Sequence, residues 1–98
     1  MYTGRISDFP ELTDYTAKMF AQEFADANSE FNMLQFEKDG ITYLDYTAED
    51  NTGIMCRFHM FVFKTDEAFW LIELGAPKAD FDAEREQIFE YAGSVRFS

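Results

Sequence analysis

Two apolar segments, IMCRFHMFVF at residues 54–63 and AFWLIELG at residues 68–75, are separated only by KTDE at residues 64–67. Aromatic and β-branched residues of this density, broken by turn residues, predict a long β-hairpin. Successive strand residues point to opposite faces. With the turn joining Phe63 to Ala68, pairing runs Phe61 with Trp70, His59 with Ile72 and Arg57 with Leu74. One face then carries Ile54, Cys56, Phe58, Met60 and Val62 beside Phe69, Leu71 and Glu73. The other carries Met55, Arg57, His59, Phe61 and Phe63 beside Trp70, Ile72 and Leu74. A sheet wet on one side alternates apolar and polar residues cleanly. This hairpin does not, so both its faces need cover, or one of them presents an aromatic patch to a partner.

The rest of the chain supplies the cover. SDFPELTDYTAKMFAQEFADAN (7–28) reads as a helix, opened by a capping box of Asp8 and Glu11 with Pro10 in the first turn. Leu12, Tyr15 and Met19 form its apolar stripe, widened by Phe20, Phe24 and Ala27, and Asp8, Glu11 and Asp14 complement its positive end. SEFNMLQFEKDG (29–40) changes to a period of two and ends in Asp39-Gly40, a strong hairpin signal before the strand ITYLDYTA (41–48). EDNTG (49–53) holds the residues of another turn. The hairpin's second strand ends at Gly75, before Ala76-Pro77. ADFDAEREQIFEYA (79–92) returns to helical spacing, with Phe81, Ile88, Phe89 and Ala92 inside and Gly93 as its terminator. SVRFS (94–98) reads as a final strand. The expected order is α-β-β-β-β-α-β: an α+β chain folded as an α/β/α sandwich around a mainly antiparallel sheet of about five strands.

The block FVFKTDEAFWLIELGAPKADFDAEREQIFEYAGSVRFS (61–98) resembles the C-terminal half of the PsbP-like superfamily. The shared features are a hairpin with an aromatic second strand, a helix opened by Phe81, the aromatic Phe89, and a closing Ser-x-x-Phe from Ser94 to Phe97. The resemblance implies a single PsbP-like domain over residues 1–98 and a non-enzymatic role in binding or assembly. It transfers no functional residue. Relatives carry an N-terminal hairpin before the first long helix, and this sequence reads as starting at that helix. That implies a short member or a fragment, with a sheet edge left open to dimerisation.

Charge narrows the partners. Nineteen acids against eight Lys and Arg in 98 residues give a net charge of −11. Nucleic acid and anionic membrane surfaces are disfavoured, since both are held by basic side chains. The charge keeps a chain with 12 Phe in solution, and a partner protein steered by it would be basic. No apolar run approaches the roughly 18 residues of a membrane span. MYTGRISDFP has no signal-peptide core. The chain as written is therefore expected in the cytoplasm, or outside it if excised from a longer precursor.

No constellation for catalysis, metal or cofactor emerges. Cys56 and His59, the chain's single Cys and single His, lie on opposite strand faces and cannot form a thiolate–imidazole pair. A structural zinc takes a full set of Cys and His ligands. DYTAEDNTG (45–53) lacks the ligand spacing of a calcium loop and reads as a solvated turn. Glu73 is the one acid in an apolar setting, expected at a strand end or paired with Arg57 or Arg96. Arg57, His59 and Trp70 remain as candidate contacts for a partner or ligand. The leading reading is a protein-binding or assembly module. The alternative is a small-molecule binder with an apolar pocket between helix and sheet.

Overall fold

The computed structural model of the chain describes residues 13–95 and, for the backbone alone, residues 2–5. Its elements are β1 (Tyr2–Arg5), α1 (Ala17–Ala27), β2 (Leu34–Lys38), β3 (Ile41–Glu49), β4 (Met55–Lys64), β5 (Ala68–Pro77) and α2 (Phe81–Ser94). They form one five-stranded sheet in the order β1-β5-β4-β3-β2, antiparallel at every junction. The class is α+β, as the periodicity predicts, and the helices lie on opposite faces.

The two cores show this directly. Against α1, with Ala21 and Ala25 turned inward, pack Leu44, Tyr46, Met60, Val62, Phe69 and Leu71. Against α2, through Phe81, Ile88 and Ala92, pack Tyr43 and Phe61. The hairpin is thus apolar on both faces because each face buries a different helix. Phe61 and Phe69, on opposite faces, are both wholly buried, and a buried Phe contributes about 1.5–3 kcal/mol of transfer free energy.

The hairpin register differs by two residues from the expected one. Phe63 pairs with Trp70, Phe61 with Ile72, His59 with Leu74 and Arg57 with Ala76. Thr65 N–H donates to Ala68 O at 2.9 Å, so the loop is only Asp66-Glu67. A slip of two keeps every side chain on its predicted face. β5 also continues past Gly75 to Pro77, which lies opposite Cys56.

Other readings change as well. The chain does not begin at a helix: residues 2–5 form β1 and pair with Leu71–Ala68 of β5, so that edge is covered. Four residues were too short a run to show period two. α1 starts at Ala17, where Thr16 accepts from Met19 N–H at 3.1 Å as N-cap, and its first turn holds no acid. The capping box proposed for Asp8 and Glu11 lies outside the described residues. The buried stripe of α1 is Ala21 and Ala25, with Phe20 and Phe24 flanking, while Met19 is 47% exposed. Small residues let the helix axis approach the sheet, which moves the large ones to the sides.

β2 is likewise shorter than expected. Ser29–Phe31 form a single 3₁₀ turn, and Asn32 is left-handed at φ 51°. Asp39 and Gly40 carry φ of 53° and 80°, the conformation that joins β2 to β3 by the predicted tight turn. Gly93 lies within α2, which ends at Ser94 with Val95 as C-cap, so it does not terminate the helix. The closing strand expected at residues 94–98 begins inside α2, and residues 96–98 fall outside the described ones.

Candidate functional site

On the α2 face, β3 and β4 bring together Asp45, Arg57 and His59. Asp45 lies directly opposite His59 in the ladder. Arg57 reaches diagonally, donating from Nε to Asp45 Oδ1 at 2.9 Å and from Nη2 to Oδ2 at 3.0 Å. This bidentate pair raises the guanidinium pKa and holds Arg57 4.7 Å above the Phe81 ring. His59 is buried among Tyr43, Phe81, Phe89 and Phe61, with ring centres 4.5, 4.9, 5.3 and 6.1 Å away.

Loss of hydration lowers the His59 pKa, outweighing the nearby Asp45 carboxylate, so the imidazole is neutral. Nδ1 faces two acceptors, Phe58 O at 3.2 Å and Asp45 Oδ1 at 3.4 Å, which places the proton on Nδ1. Nε2 is buried without a hydrogen-bond partner among the described residues. Arg57 and Asp45 therefore satisfy each other beneath α2, and of His59 only Nε2 is left over. Trp70 lies elsewhere: four residues along β5 from His59's partner Leu74, or ~13 Å. Its Nε1 donates to Thr65 Oγ1 at 3.0 Å and pins the β4–β5 turn.

Cys56 is buried near Asp50, and loss of hydration followed by that carboxylate pushes its thiol pKa up, away from reactivity. Asp50 itself organises the β3–β4 turn: Oδ1 accepts from Thr52 N–H, Thr52 Oγ1 and Ile54 N–H at 2.8, 2.7 and 3.0 Å. Those bonds, the Thr52 hydroxyl first, lower its pKa. The run read as a solvated turn is held by them.

The α1 face carries a different feature. Near the C-terminus of α1, a pocket of about 250 Å³ opens between helix and sheet, lined by Phe24, Tyr46, Phe58 and Met60 with the carboxylates of Glu49 and Glu73. Glu73 is not at a strand end and does not meet Arg57. It sits mid-strand opposite Met60, on the face away from Arg57. Desolvation raises its pKa. Gly75 shapes the wall beside it: a Cβ there would overlap the Phe58 ring and lie 2.6 Å from Arg57 O. The missing side chain lets Phe58 lie across β5 and stack on Tyr46 at 5.3 Å.

A third feature is the sheet edge. β2 is the terminal strand, and Leu34 and Phe36 on it are 59% and 46% exposed. Phe36 stacks on Tyr43 at 5.7 Å, continuing the α2-side aromatic cluster out to that edge. Among the described residues nothing pairs with the outer side of β2. The period-two pattern of this segment marks a strand and does not mark an edge. Its terminal position depends on β1 occupying the far edge, which no local pattern announces.

No family model matches the chain, and no curated protein or solved structure matches it either.

Proposed function

We propose that the chain is a non-enzymatic binding module that accepts an extended, basic segment of another protein as an added strand along β2. The carrying observation is the pair Leu34 and Phe36, exposed on a terminal strand. An edge strand offers unpaired N–H and C=O groups, and strand addition uses them for affinity while alternate side chains set specificity. Natural edges are usually blunted by charge or bulges. In β2 only Glu37 and Lys38 are charged, and Glu37 is engaged by Lys18 at 2.8 Å. A net charge of −11 favours a basic incoming strand and speeds its encounter. The resemblance to the PsbP-like superfamily agrees with a role in binding or assembly.

The test is calorimetric titration with an acetylated, amidated nine-residue peptide of alternating valine and lysine. It should bind, and the versions with a central proline or with glutamate for lysine should bind at least tenfold more weakly. Phe36→Ser should weaken binding similarly. Equal affinity for the proline version would reduce the interaction to charge alone and contradict strand addition.

A second reading, a small-molecule binder, is favoured by the α1-side pocket. It is an open cleft between helix and sheet, lined mainly by aromatic and methionine side chains, the usual character of a ligand site.

A further inference from the structure

We propose that the pocket between α1 and the sheet binds a small organic ammonium ion with an apolar body, Glu73 serving as its counter-ion. This deepens the small-molecule reading of that pocket and rests on it.

Three features of the pocket select a cation. Its aromatic walls, Phe24, Tyr46 and Phe58, offer ring faces that attract an ammonium group, and the attraction strengthens where water is excluded. Its two carboxylates have no basic side chain beside them in the lining. Glu73 is half-buried; desolvation, the larger influence on it, disfavours its charge, and the positive charge of the N-terminal amino group offsets this only in part. An ammonium ion would restore that lost solvation. The third feature is the helix end: Phe24 of the last turn of α1, which carries no basic residue, and the C-cap Asn28 line the pocket. The negative pole of the helix therefore adds to the two carboxylates.

Size limits the ligand further. About 250 Å³ lies just below the roughly 300–1,000 Å³ of drug-sized sites, which suits a single ring or a short branched chain. An anion of the same shape meets two carboxylates and the helix terminus. A neutral analogue fills the pocket and brings no charge to its carboxylates.

The probes are 2-phenylethylamine, 2-phenylethanol and phenylacetate, which share a ring and differ in charge. Each is titrated into the ¹⁵N-labelled chain near neutral pH while amide shifts are followed. The amine should bind at least tenfold more tightly than the alcohol, with shifts concentrated at Asn28, Tyr46, Phe58 and Glu73, and phenylacetate should not bind. Glu73→Gln should remove the amine's advantage, whereas Glu84→Gln, the same charge change on α2, should keep it. Equal binding of amine and alcohol would overturn the ammonium assignment while leaving the pocket as a ligand site. Binding of none of the three would overturn both. An advantage that persists in Glu73→Gln would assign the preference to Glu49 or to the acidic surface at large and overturn the role of Glu73.

Discussion

His59 shows how one residue can be placed by the sequence and still be misjudged in what it does. Strand alternation puts it on the face away from Cys56, and that separation stands. Alternation does not reveal that Asp45 lies across from it, because the partner depends on the register of β3 against β4. Loss of hydration inside four rings keeps the imidazole neutral although Asp45 lies across from it. This has a pH consequence. The unfolded chain takes up a proton near 6.5, the ordinary value, while the folded chain resists it. The contribution of neutral His59 is present above 6.5 and lost as the pH falls through the lower folded value. The facing charges are Asp45, Arg57 and Arg85, the two arginines opposing protonation. Glu73 acts in the other sense: its raised pKa means the folded state holds a proton more readily, so protonation favours folding as the pH drops. Denaturant titrations of the wild type and His59→Phe separate the two. The wild type should lose up to about 1.4 kcal/mol per pH unit below pH 6.5, and the variant should show a flatter profile. Parallel profiles would place the pH dependence elsewhere. Gly75 makes a second residue-scale prediction. Gly75→Ala forces Phe58 and the β4 backbone apart, an overpacking cost of about 1–3 kcal/mol, measured as a lower denaturation midpoint.

Among the elements, legibility followed the strength of the local pattern. The central hairpin was readable because it repeats apolar residues on both faces over its length. The two-residue error in its register came from allowing a longer loop than Asp66-Glu67, and the faces survived because the slip was even. β1 was unreadable, since four residues gain strand identity only by pairing with β5. The start of α1 was misplaced because Asp8 and Glu11 make a capping box on paper, whereas Thr16 makes the bond. Thr16→Ala should therefore cost about 1 kcal/mol of stability and speed amide exchange at the start of α1. A change confined to other elements would deny Thr16 its capping role. The edge at β2 is not legible in the sequence, because exposure is settled by which strands lie beside it.

At the scale of the molecule, a net charge of −11 and an apolar edge pull in opposite directions. Two copies could pair antiparallel through β2, with Phe36 facing Phe36 and Glu37 facing Gln35, so no like charges meet locally. Repulsion between the whole chains opposes this and is screened beyond ~8 Å at physiological salt. Light scattering after size exclusion should show monomer at low salt and a growing dimer fraction as salt rises; monomer at every salt concentration would remove self-pairing. A basic partner faces no such repulsion and suits the edge better than a second copy. Hydrogen exchange of the chain with and without the alternating valine–lysine peptide tests that assignment most directly. In the free chain, alternate amides of residues 34–38 should exchange rapidly, because β3 pairs with only one side of β2. With the peptide bound, those same amides should become protected while β4 and β5 are unchanged. Protection scattered over the surface, or none along 34–38, would contradict strand addition at β2.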